Sequence, residues 1–119
     1  MPEATETYTV EDHFTGKAPA VREMYGRLLD LLREFGPVTE EAKKTSIHLV
    51  NRSALAGVYT RREYINLEFK TDYPISSERL FKTEQLSKNR YHHALRLDSA
   101  DQLHGEVLQW LRDAYNLSA

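Results

Sequence analysis

Val21, Met24, Tyr25, Leu28, Leu29, Leu32 and Phe35 recur at steps of three and four residues, the spacing that aligns side chains along one face of an α-helix. Pro19 stands where a first helical turn needs no N–H. Gly36 suits a left-handed residue just past the end, and Pro37 prevents continuation. A second stripe, Leu103, Val107, Trp110, Leu111 and Ala114, predicts a C-terminal helix, with Ser99-Ala-Asp-Gln102 as the capping box that opens it. Thr9-Val-Glu-Asp12 carries the same capping pattern and predicts a short turn holding His13 and Phe14. Residues 1–8 are polar and expected to be flexible, leaving 9–117 as a single domain.

Between the helices the period falls to two. Thr45–Asn51, Ala54–Thr60, Tyr64–Lys70, Arg79–Leu86 and Tyr91–Leu97 read as strands, with Gly57 marking a bulge or a close backbone approach. Glu40–Lys44 reads as a charged hinge, and Thr71–Ser77 as a loop rich in turn formers. Short connections require antiparallel neighbours. The expected fold is an α+β two-layer sandwich: N- and C-terminal helices packed on one face of a roughly five-stranded, mainly antiparallel sheet. Two helices cover one face only, so the other meets solvent. The strand phases assign His48, Arg52, Tyr59, Asn66, Glu68, Lys70, Lys82, Glu84, His92 and Arg96 to that open face. Alternation turns His93 the other way, toward the core.

Charge sharpens this picture. The chain of 119 residues has a formal net charge of −2, but residues 43–96 hold 11 basic and 5 acidic side chains while both flanks are acidic. A basic middle within an acidic chain argues for local contact with an anion rather than wholesale coating of a polyanion. With 40% hydrophobic and 29% charged residues the composition is that of an ordinary globular domain. No apolar run approaches the ~20 residues that span a bilayer. The start, Met1 to Glu6, has no apolar signal core, so no export route is expected. Absence of cysteine excludes disulfides, zinc–thiolate sites and thiol nucleophiles, and suits a cytoplasmic location.

The candidate chemistry follows from the open face. Lysine and arginine with interleaved tyrosine can hold phosphates and stack bases, although a solvated antiparallel face carries the same mixed charge for solubility alone. The residues expected to bind are Lys44, His48, Arg52, Asn66, Lys82, Arg90, His92 and Arg96. The first alternative is an acid–base or metal-dependent enzyme using Glu68 with His48 or His92. Glu68-Phe-Lys70 is similar to the Glu-x-Lys half of restriction-type nuclease sites, but the required upstream Asp is not evident. The second alternative is a protein-interaction module using an edge strand or Tyr59 and Tyr64. No nucleophile elbow, Walker loop, dinucleotide fingerprint or HExxH occurs. No cofactor and no catalytic residue is assigned, no membrane contact is expected, and the sequence is compatible with a homo-oligomer.

Four strings, Lys43-Lys-Thr-Ser-Ile-His-Leu-Val50, Ala56-Gly-Val58, Tyr64-Ile-Asn-Leu-Glu-Phe-Lys70 and Gln85-Leu-Ser-Lys-Asn-Arg-Tyr-His-His93, carry a resemblance over nearly the whole chain. They resemble the small bacterial family catalogued as domain of unknown function 5655, sometimes labelled predicted transport proteins. The resemblance implies relatives that occur alone or attached to restriction-like and nuclease-like proteins, which favours nucleic acid as the anion. It carries over no catalytic residue. The helix–strands–helix order is also similar to the frataxin-like architecture. The acidic Glu3, Glu6, Glu11 and Asp12 sit at the chain's start, a poor match to an iron-handling ridge.

Overall fold

A computed structural model describes residues 7–119; Glu3, Glu6 and most of the expected flexible segment lie outside the described residues. Thr9 and Asp12 exchange the reciprocal bonds of the capping pattern, Thr9 N–H to Asp12 Oδ2 at 2.9 Å and Asp12 N–H to Thr9 Oγ1 at 3.1 Å. They launch a 3-10 turn over Glu11–Phe14. Helix α1 (Pro19–Phe35) follows and buries Val21, Met24, Tyr25, Leu28, Leu29 and Leu32, its predicted stripe but for half-buried Phe35. It ends at Gly36, whose φ of +154° and ψ of −167° differ from the expected left-handed helical turn but equally require glycine. A Cβ at Gly36 would also collide with the Tyr115 hydroxyl.

Six strands follow: β1 (Thr39–Ala42), β2 (Ile47–Val50), β3 (Ala54–Thr60), β4 (Ile65–Thr71), β5 (Leu80–Ser87) and β6 (Arg90–Leu97). They form one sheet in the order β1-β2-β3-β4-β6-β5, every pairing antiparallel. The expected count of about five was one short, because the segment read as a charged hinge is β1. Its two glutamates hide the strand period from a hydrophobicity reading, and α1 supplies what hydrophobicity does not. Tyr25 Oη donates to Glu40 Oε2 at 2.6 Å, and Arg33 lies 3.7 Å from Glu40 Oε1 while donating to the Val38 carbonyl at 3.1 Å. Burial and then the Glu40 carboxylate push the Tyr25 hydroxyl far above the usual phenol range, so it remains a donor.

The bulges also differ from expectation. Gly57 stays in register opposite Glu68, whereas Leu55 is the extra residue where Leu49 pairs with Ala56 and Val50 with Ala54. At the far edge Phe81 and Leu86 are extra residues in β5. The capping box at Ser99 forms as predicted, but it opens a 3-10 turn over Ala100–Gln102 rather than the last helix. Helix α2 (Glu106–Leu117) starts after Gly105, at φ +60°.

Both helices pack on the face formed by Ile47, Leu49, Val58, Ile65, Leu67, Phe69, Leu95 and Leu97. Trp110 stacks on Phe69 with centroids 6.1 Å apart. His93 is fully buried there, Nε2 2.8 Å from Thr71 Oγ1 and Nδ1 3.2 Å from Thr83 Oγ1. Burial, then the neighbouring His92, lowers its pKa below the ordinary 6.5 and holds the ring neutral. The loop before β5 is tied to α2 by Tyr73 Oη, which donates to Asp113 Oδ2 at 2.5 Å. Among the described residues no helix is long and apolar enough to cross a membrane.

Candidate anion-binding groove

Because all pairings are antiparallel, one row of the open face can be followed across the sheet: Glu41, His48, Gly57, Glu68, Ala94 and Lys82. Glu68 therefore stands between a glycine and an alanine. With no side chain at Gly57, a notch of 140 Å³ opens, lined by His48, Tyr59, Glu68, Lys70 and His92 among others. His48 and Glu68 face each other across it, two strand spacings or roughly 10 Å apart. His92 lies diagonally from Glu68, opposite Lys70 on β4 and Glu84 on β5. Its Nε2 comes to 2.9 Å from Glu68 Oε1. Its Nδ1 is buried, with no hydrogen-bond partner among the described residues.

A second cavity of 270 Å³ lies at the end of the sheet where the β2–β3 turn, the β5–β6 turn and the C-terminus of α2 meet. Lys70 and Arg90 bring charge to it, Ser53 and Ser87 hydroxyls, and Leu55 and Leu117 apolar wall. The two cavities share Ala54, Leu55 and Lys70, so the notch and the end cavity adjoin as one groove. Among the described residues neither Lys70 nor Arg90 belongs to an ion pair.

The residues expected to bind are thus only partly gathered. His48 and His92 line the notch and Arg90 the end cavity. Arg52 is not on the open strand face; it occupies the β2–β3 turn, where its N–H and that of Ser53 donate to the Ser118 carbonyl at 3.2 and 3.0 Å. The strand ends at Val50, which frees the turn to bind the Ser118 carbonyl just past the end of α2. Lys44 sits in the β1–β2 turn, at the opposite end of β2 from Arg52, and cannot share a small ligand with it. Asn66 and Arg96 face each other one row beyond the notch. The Arg96 guanidinium is already committed, 3.8 Å above the Tyr64 ring and 2.8 Å from Asp98. Lys82 is on the open face at the edge strand and lines neither cavity. Lys70, expected only on the open face, is the charged residue that both cavities share. Its signal was a lysine closing a strand with Lys88-Asn-Arg90 elsewhere in the chain, and only strand order brings the two together.

Two helices on a six-stranded antiparallel sheet, with a grooved open face, define a small two-layer α+β domain. The chain matches the family model described as Domain of unknown function (DUF5655) over residues 10–118 and belongs to that family. No curated protein and no solved structure matches it.

Proposed function

We propose that this domain binds a phosphate-bearing ligand in the groove, with the phosphate between Lys70 and Arg90 and the rest of the ligand over Gly57. The observation that carries this reading is the position of Lys70: it belongs to both cavities, shares one of them with Arg90, and among the described residues neither cation is ion-paired with a carboxylate. Arg90 donates only to the neutral Asn89 carbonyl, at 2.8 Å, and so keeps its charge for an incoming anion, whereas Arg96 has already spent much of its own on Asp98 and Tyr64. The hydroxyl of Ser87 and the apolar wall of Leu55 give such a group hydrogen bonds and shelter. Above Gly57, Tyr59 offers an aromatic surface and Glu68 an acceptor for a ligand N–H. These contacts suit nucleic acid or a phosphorylated small molecule, and the absence of cysteine supports a cytoplasmic setting.

Backbone-amide NMR titrations with inorganic phosphate, a nucleoside monophosphate and a short single-stranded oligonucleotide, each at low and near-physiological salt, test the reading. Shifts centred on Lys70, Ser87 and Arg90 are expected, reaching Gly57 and His92 only with the organic ligands. Binding to the oligonucleotide alone, with steep salt dependence, identifies a nucleic-acid strand; equal binding of the mononucleotide identifies a small molecule. The double variant K70A/R90A is expected to weaken binding by about tenfold or more. Unchanged affinity in that variant would overturn the assignment.

The Glu68–His92 contact favours acid–base catalysis as a second reading. It is the weaker one: His92 directs Nε2 at the carboxylate and its other nitrogen is covered, which suits a ring that orients Glu68 more than one that meets a substrate. Turnover of a bound phosphorylated ligand, abolished by E68Q with binding retained, would promote it.

A further inference from the structure

We propose that two copies of this chain pair through β5, antiparallel about a two-fold axis at Thr83, so that Lys82 of each copy meets Glu84 of the other. The proposal does not rest on the groove, although Leu86 also borders its end cavity. Strand β5 is the far edge of the sheet, bonded on one side to β6 and, among the described residues, to no strand on the other. It extends beyond the cover of the helices, so every residue from Phe81 to Ser87 is exposed. The large hydrophobic residues exposed among those described are Phe81 and Leu86, at 59% and 49%, and both belong to this strand. An edge with free N–H and C=O groups and apolar side chains at each end is a template for another strand.

The charge pattern selects the occupant and the register. A two-fold perpendicular to the sheet keeps each residue on its own face, so residues facing each other across it must share a face. Centring the axis on Lys82 or on Glu84 sets like charges in contact, which is unfavourable. Centring it on Thr83 makes Lys82–Glu84 pairs twice over, beside a central Thr83 pair. Phe81 of each copy then lies beside Gln85 of the other, where its exposed ring gains cover. The bulges at Phe81 and Leu86 end the regular ladder on either side of Lys82–Gln85, which limits the pairing to a short, self-complementary stretch. The other edge, β1, is four residues long, bears Glu40 and Glu41, and is tied to α1, so the assembly closes at two copies. Both grooves then open on the same side of a continuous twelve-stranded sheet, six strands from each copy.

Sedimentation equilibrium from low micromolar to near-millimolar concentration tests this directly. Wild type is expected to be a reversible dimer. K82E sets a new carboxylate against Glu84 and should raise the dissociation constant by about tenfold or more, as should E84K, which sets two ammonium groups together. The exchanged variant K82E/E84K restores opposite charges in the same register and should return to within about threefold of wild type. An amide spectrum of each variant confirms that this exposed strand still folds. A wild type that remains monomeric, which would leave β5 to a strand of a different protein or to none, overturns the proposal. So does a dimer indifferent to K82E, or a double variant no better than the singles.

Discussion

The helix-covered face and the open face of this sheet are built from the same strands, and they use polar residues in opposite ways. On the covered face Ile47, Leu49, Val58, Ile65 and Leu67 are wholly excluded from water, and the polar groups among them are closed off by one another. His93 has both ring nitrogens within reach of threonine hydroxyls. One residue earlier, His92 faces the other way and contacts Glu68 at the side of a notch, with one nitrogen left without a partner among the described residues. Burial demands complete satisfaction, because an unpaired polar group there costs about 1–3 kcal/mol. The open face tolerates incomplete partnership, and the residues with spare hydrogen-bonding or charge capacity collect there: Lys70, Arg90, Glu68 and His92.

Substitutions break this contrast in a definite order. Phe69→Ala should cost about 3–5 kcal/mol in chemical denaturation, because it empties the space beneath Trp110. His93→Ala should cost about 2 kcal/mol, because it removes a fully buried ring that packs 5.3 Å from the Phe69 ring and leaves a cavity. It should also change the pH profile. The folded ring has a pKa below its ordinary 6.5, so the unfolded chain binds more protons in that interval. Wild-type stability therefore declines as pH falls below 6.5 toward the folded value, and the variant should lose up to about one proton's worth of that slope. If the slope persists in His93→Ala, the buried neutral histidine is not its source.

On the open face the effects should move from stability to binding. A Cβ at Gly57 meets only Tyr59 Cε1, at an ordinary 3.6 Å. Gly57→Ala should therefore change stability by less than about 1 kcal/mol while weakening the mononucleotide more than inorganic phosphate in the NMR titration. An equal loss for both ligands would separate the notch from the ligand's organic part. Smallest of all, Arg96→Ala should cost less than about 1 kcal/mol in thermal unfolding, because its ion pair is exposed. Phosphate binding should not change, which contrasts Arg96 with Arg90.

Much of this contrast was legible along the chain. The stripes from Val21 to Leu32 and from Val107 to Ala114 are local patterns, and both helices formed on them. The alternation of Ile65, Leu67 and Phe69 with Asn66, Glu68 and Lys70 set the two faces of β4. The opposite directions of His92 and His93 follow from the same period. These features depend on residues two to four positions apart, whose relative direction the backbone dictates.

What depended on distant partners was not legible. Strand β1 is hidden by its glutamates until Tyr25 and Arg33 on α1 bind Glu40. The Ser99 box is a sound local signal, but Gly105 is the residue after which the helix begins. The bulge belongs to Leu55 rather than Gly57, because register is agreed between two strands and not within one. The sequence by itself therefore determined the two helices, the inward and outward faces of the central strands and the cysteine-free basic middle. Tertiary structure alone decided that β6 lies between β4 and β5, and so that Lys70 meets Arg90 while Lys44 and Arg52 stand at opposite ends. The physical reason is that side-chain direction is a property of a few adjacent dihedrals, whereas the meeting of charges from separate strands follows from how the whole chain buries its apolar surface.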